Sequence, residues 1–165
     1  MRRGGVSMRR RTWLALAVSH AAVGAAGFAG GIYVLPILTA EPPPPADQLA
    51  ALQGQATYRG QFRRDLPGSD ALHWGEGEVT VGPTAVAHRG RLAPGPDYRL
   101  YLSPAFVDTE AAFLALKPRM RQVGMVKGFE GFVLDLPAGV DLAAYDTVVV
   151  WCERFGEFIS AAKYR

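Results

Sequence analysis

The sequence predicts a mainly β protein: a small antiparallel sandwich or barrel with one short helix, preceded by a single N-terminal transmembrane helix. Two observations predict this architecture. A long uncharged segment lies near the N-terminus, and short β-branched or aromatic segments separated by Gly and Pro fill most of the remaining chain. A length of 165 residues suits one domain with appendages.

The uncharged segment covers residues 12–40, and its stricter core, 13–38, exceeds the roughly 20 residues that cross a bilayer. Trp13 and Tyr33 lie near its two ends, where amphipathic rings prefer to lie. Because five arginines precede it within residues 1–11, we expect a single-pass protein of the cytoplasmic membrane. Its N-terminus is then cytoplasmic and its C-terminal domain lies in the periplasm or outside.

Two other interpretations fit the same N-terminal pattern. A cleaved signal peptide also combines a basic start with an apolar segment, although the length favours an anchor. Arg10 and Arg11 loosely resemble a twin-arginine export signal. Both interpretations still place the folded domain outside the cytoplasm.

The charge distribution argues against a nucleic-acid partner. The formal net charge is +3, but the five N-terminal arginines supply +5, so the other 13 basic and all 15 acidic residues sum to −2. The basic residues beside the membrane segment have their own explanation as a topology signal. A slightly acidic domain is a poor partner for a polyanion, so we expect no nucleic acid.

Residues 41–55 are predicted to form a proline-rich linker. Glu41 is followed by four prolines, whose fixed φ favours an extended stalk, and residues 47–53 could form one or two helical turns. The extracytoplasmic β domain is expected from 56 to 165, with a short helix over 108–116 and a solvated basic loop after it. Its strands are predicted at 56–62, 76–81, 84–92, 98–103, 129–134, 147–153 and 158–164.

The last two strands are expected to form a terminal hairpin with Cys152, the single cysteine, near the end of the inner strand. Free Cys is among the most buried residue types, so one interpretation is a small core hydrophobe. The other follows from its place beside Glu153 and Arg154. There the sulfur would lie near solvent and near a cation that lowers its pKa.

The sequence contains no recognised catalytic or metal motif. It lacks Cys-x-x-Cys, His-Glu-x-x-His, Cys-x-x-Cys-His and Gly-x-Ser-x-Gly, so no metal site is predicted and enzyme activity stays uncertain. His73 and His88 are the two imidazoles of the domain. For each of them a structural role competes with ligation, and His88 is the one placed within a predicted strand.

The second half of the domain resembles a known family, the DM-thirteen domain, also described as the electron-transfer DM domain. The resemblance covers roughly residues 56–165. It rests on Asp97-Tyr98-Arg99-Leu100-Tyr101-Leu102-Ser103, on Lys127-Gly128-Phe129-Glu130-Gly131, and most specifically on Tyr145-Asp146-Thr147-Val148-Val149-Val150-Trp151-Cys152-Glu153. It implies a β-rich extracytoplasmic domain whose hallmark cysteine is Cys152, acting as a bare thiol or as a ligand to a prosthetic group such as haem.

Two functional hypotheses follow. The first is a membrane-anchored periplasmic redox or electron-transfer module in which Cys152 is a thiol or ligand and His88 is a candidate second ligand to haem. Its electron partner would be another protein. The alternative is a non-catalytic binding or adhesion module in which Cys152 only packs. A homodimer joined through Cys152 is a further alternative.

Overall fold

The protein is described by a computed structural model that covers residues 9–165; Arg2 and Arg3 of the basic start lie outside the described residues. Helix α1 spans Arg10–Leu38 and has no buried residue. Its best window has a mean hydropathy of 1.8, and the helix is long and apolar enough to cross a membrane. Helix α2 spans Ala46–Gly54, and helix α3 spans Glu110–Leu116.

The domain consists of two antiparallel four-stranded sheets that do not close into a barrel, so of the two predicted architectures it is the sandwich. The first sheet has the order β1-β2-β3-β6, and the second has the order β5-β4-β7-β8. The strands are β1 (Tyr58–Phe62), β2 (Gly75–Val81), β3 (Ala85–Leu92), β4 (Tyr98–Ser103), β5 (Arg121–Val126), β6 (Phe132–Asp135), β7 (Thr147–Cys152) and β8 (Glu157–Lys163).

The second sheet is buried on both of its faces. Its inner face packs against the first sheet through residues such as Leu100, Val150 and Ile159. Its outer face is covered by α3, whose Phe113 packs on Trp151. Double coverage explains why every position of β7 is buried and why its sequence is a continuous apolar segment without alternation.

Helix α3 begins where the sequence predicted a short helix. The Thr109 hydroxyl caps it by accepting a hydrogen bond from the Ala112 backbone N–H at 3.3 Å. The basic residues after it, expected in a solvated loop, form a 3-10 turn at Lys117–Arg119 and the start of β5. Strand β5 was not predicted from the sequence.

The proline segment contacts the domain. The backbone N–H of Glu41 donates to the carbonyl of Lys127 at 3.1 Å, and the two side chains form an ion pair of 3.1 Å. Helix α2 packs against β3, its Leu49 is buried, and its Gln53 donates to Glu78 at 3.0 Å. The chain between α1 and β1 therefore lies along the sandwich.

Candidate functional site

Cys152 is the last residue of β7 and lies opposite Tyr98 of β4. The chain turns immediately after it, and the N–H of Gly156 donates to the Cys152 carbonyl at 2.9 Å. Gly156 has φ +70°, a conformation that a residue without a side chain adopts at little cost. The predicted terminal hairpin, with Cys152 at the end of its inner strand, is confirmed.

The thiol of Cys152 is free and only 2% of the residue is exposed. Burial raises the pKa of this thiol, and the nearby backbone amides of Phe155 and Arg154 oppose the shift without reversing it. The expectation of a solvent-near sulfur whose pKa is lowered by a cation is therefore wrong. At neutral pH the group is a protonated thiol and a weak nucleophile.

Cys152 nevertheless lines a cavity of about 130 Å³ at one end of the sandwich. Three loops form its walls: the β1–β2 loop, the β3–β4 loop and the β7–β8 turn. Helix α1 closes one side. The lining residues are Ala29, Ile32, Tyr33, Leu72, His73, Pro94, Gly95, Pro96, Tyr98, Cys152 and Phe155. The lining is mostly apolar, with an imidazole, two phenols and one thiol as its polar side chains.

His73, and not His88, shares this cavity with Cys152. The loop that carries His73 is organised by Asp70, whose carboxylate accepts from the His73 ring Nδ1 at 3.0 Å and from the Leu72 and His73 backbone amides at 2.7 and 2.8 Å. These three bonds lower the pKa of Asp70. Sequence reasoning had no signal for this proximity, because the position of a loop residue depends on the folded loop.

His88 lies in β3 with none of its surface exposed, between the rings of Phe62 and Phe132, whose centroids are each 5.1 Å away. Its Nε2 contacts the backbone carbonyl of Glu76 at 3.0 Å. Gly90 lies against this contact, since a Cβ there would lie 2.0 Å from the Glu76 carbonyl oxygen and 2.8 Å from Nε2. His88 is therefore fixed in the core.

The other ring nitrogen of His88 has no hydrogen-bond partner within the described residues. A carbonyl can only accept, so Nε2 carries the proton and Nδ1 presents a bare lone pair. Burial lowers the pKa of His88 to about 4, so the ring is neutral at pH 7. A neutral imidazole is the form that ligates metals, but the proposed ligand role of His88 stays a prediction.

The cavity does not fit a haem as it stands. Pockets for drug-sized ligands enclose about 300–1,000 Å³, and the space beside Cys152 is well below that range. His88 does not line it either. Within residues 9–165, no group of three or more His, Cys, Asp or Glu side chains could hold a metal ion. A smaller ligand or a group held by Cys152 alone is what the geometry accommodates.

A second polar cluster lies beside the site, on the outer face of the second sheet. Lys117 contacts both carboxylate oxygens of Glu153 at 2.9 and 2.7 Å, and the Tyr101 hydroxyl donates to the same carboxylate. Burial opposes ionisation, but these hydrogen bonds outweigh it and lower the pKa of Glu153. The Lys117 ammonium also lies 5.7 Å from the Trp151 ring.

This cluster was missed by sequence reasoning, although Glu153 directly follows Cys152 and Lys117 directly follows the helix predicted over 108–116. The cluster affects the site by fixing the position of the backbone beside Cys152. It holds the first residue of the β7–β8 turn and so fixes the exit of the chain from Cys152.

The comparison with protein families identifies a match. The family model described as Electron transfer DM13 matches residues 62–164, which is more than half of the chain and includes Cys152, His73 and His88. Neither the curated proteins nor the solved structures contain a significant match.

Proposed function

Since the chain belongs to the Electron transfer DM13 family, we propose that it is a membrane-anchored periplasmic electron-transfer module in which Cys152 supplies the working sulfur. Helix α1 is its anchor. The five arginines within residues 1–11, before and at the start of α1, favour a cytoplasmic N-terminus, which leaves the sandwich on the outer side of the membrane.

One observation carries this proposal beyond the family match. Cys152 is buried from bulk water, yet its residue borders an apolar cavity that also contains His73. A purely structural cysteine needs no such space. A sulfur that passes electrons or binds a prosthetic group benefits from it, since low dielectric and restricted water access set the potential of such groups.

The protonated state of the thiol argues against a role as a nucleophile. Burial keeps the proton on Cys152 at neutral pH, and a bound metal centre would displace it, as coordination deprotonates a thiol. Such a centre would have to be smaller than a haem or leave most of its surface outside the cavity.

The test is a comparison of full-length protein, purified from its host membrane in detergent, with Cys152→Ser and Cys152→Val. We expect wild type to show a redox couple by protein-film voltammetry or a visible absorption band. Cys152→Val should abolish it and Cys152→Ser should shift or abolish it, with the circular dichroism of the sandwich unchanged. Wild-type protein that shows neither a visible absorption band nor a redox couple contradicts the proposal.

The burial of Cys152 supports a second candidate function, a non-catalytic binding module in which the thiol only packs. The same variants separate the two. If Cys152→Val supports the function of the protein in cells as well as wild type does, the binding module is the better description and the sulfur is dispensable.

A further inference from the structure

Two large apolar side chains at the rim of the Cys152 cavity are exposed. Leu72 on the β1–β2 loop is 60% exposed, and Phe155 at the tip of the β7–β8 turn is 52% exposed. Both line the same cavity as Ala29, Ile32 and Tyr33 of α1. The apolar rim, defined here as Leu72 and Phe155, is thus continuous with one side of the membrane helix.

The depth of this rim follows from the geometry of the helix. Trp13 and Tyr33 are about 30 Å apart along α1 at about 1.5 Å per residue, which matches the thickness of the hydrocarbon core. Tyr33 therefore marks the outer interface. Ala29 lies about 6 Å deeper, so loops that share a cavity with Ala29 reach the level of the outer leaflet.

We propose that the apolar rim is a lipid-facing surface. Leu72 and Phe155 insert into the outer leaflet beside α1, and the mouth of the Cys152 cavity faces the bilayer. The proposal rests on the anchoring role of α1 in the proposed function. It accounts for two exposed apolar residues at loop tips, which at an interface with lipid are removed from water.

The charges around the rim are compatible with this position. Glu153, at the base of the turn, is held by Lys117 on the outer face of the second sheet, and its charge is paired there. Asp70 is bonded to His73 and to its own loop. Arg154, next to Phe155, is exposed, and a guanidinium at the interface can reach lipid phosphates.

The chain offers a matched control at the other end of the sandwich. β4 runs from Tyr98, opposite Cys152, to Ser103, opposite Thr147, and Phe106 follows shortly after. Phe106 is 40% exposed, against 52% for Phe155, and it does not line the cavity that α1 borders. A positive control lies in α1 itself, where Phe28 is 73% exposed.

The experiment places photoreactive benzoylphenylalanine, one site at a time, at positions 28, 106 and 155 of the full chain. Each variant is reconstituted into phosphatidylcholine and phosphatidylglycerol vesicles, irradiated, and examined by mass spectrometry for covalent lipid adducts. We expect adducts from positions 28 and 155, and a yield at least several-fold lower from position 106. A probe in place of Leu72 should behave like the one at 155.

Each result supports or overturns a particular statement. If position 28 gives lipid adducts and position 155 gives no more than position 106, the rim does not meet the bilayer and this inference fails alone. If position 155 crosslinks to a second copy of the chain, the rim is a protein interface and the inference is again wrong. If position 28 gives no lipid adduct, the anchor itself fails, whatever voltammetry shows for Cys152.

Discussion

At the scale of single residues, His88 combines complete burial with a polar atom that has no hydrogen-bond partner among the described residues. Its ring lies between Phe62 and Phe132 and close to Gly90, and one of its ring nitrogens has no hydrogen-bond partner within residues 9–165. A buried polar atom without a hydrogen-bond partner lowers the free energy of unfolding. Protonation of His88 should therefore change the free energy of unfolding of the whole domain.

We predict that the domain loses stability as the pH falls from about 6.5 to about 4. The unfolded chain protonates His88 below its ordinary pKa of 6.5, whereas the folded chain resists protonation until about 4, so protons favour unfolding across that window. The full effect is about 3 kcal/mol.

Thermal unfolding of the full chain in detergent at stepped pH measures this loss. His88→Asn should be less stable than wild type at pH 7 but should show a flatter dependence between pH 6.5 and 4. His73→Asn is the matched control and should retain most of the slope. A wild-type midpoint that is constant over this window would contradict the assignment.

At the scale of secondary structure, the sequence identified the elements whose side chains are buried. Strand β4 was predicted with its observed bounds, and β7 was recognised because burial on both faces selects an unbroken apolar segment. β5 was missed for the opposite reason. It is an edge strand next to β4 alone, and Arg121, Gln122 and Gly124 leave it without an alternating apolar pattern.

The candidate site could be predicted only in part. Cys152 was identified as the single cysteine, at the end of a predicted strand, but the cavity that it shares with His73 depends on the path of a loop that has no periodic pattern. His88 was chosen because it lies in a strand, and that same position directs it into the core beside Phe62 and Phe132, while the cavity lining is supplied by His73.

Helix α3 packs on the outer face of the second sheet and buries a second hydrophobic cluster there. Phe113 is fully buried and stacks on Trp151 with 4.0 Å between ring centroids and 11° between ring planes. We predict that Phe113→Ala lowers the free energy of unfolding by about 3–5 kcal/mol, the usual cost of a buried aromatic truncation. Chemical denaturation of the full chain in detergent measures this.

Leu114 provides the comparison on the same helix. It is 50% exposed, so Leu114→Ala should cost less than about 1 kcal/mol. Equal losses for the two variants would show that α3 stabilises the protein through its helix and not through its contact with Trp151.

At the scale of the whole molecule, the short path from α1 to the sandwich determines where the sandwich lies relative to α1. The proline segment was expected to act as a stalk, but Glu41 is tied to Lys127 by a backbone hydrogen bond and an ion pair. The domain is thereby held beside the end of α1. That arrangement brings the cavity loops to Ala29, Ile32 and Tyr33.

We predict that a flexible insertion between Thr39 and Glu41 uncouples the domain from the membrane. About twelve Gly and Ser residues form a coil that spans roughly 20 Å, which permits the rim to leave the lipid surface. Lipid adducts from a photoprobe at position 155 should fall several-fold, while those from position 28 should not change. Unchanged adducts at 155 would mean that the rim binds lipid on its own.

Helix α1 forms one wall of the Cys152 cavity, and this wall affects which oxidants can reach the sulfur. Only 2% of Cys152 is exposed in all, so water-soluble oxidants and thiols have little direct access to the sulfur. With the cavity mouth toward lipid, small apolar carriers dissolved in the bilayer have the shorter route. The membrane would then select which oxidants reach Cys152, and the oxidation state of the sulfur would depend on redox carriers that dissolve in lipid.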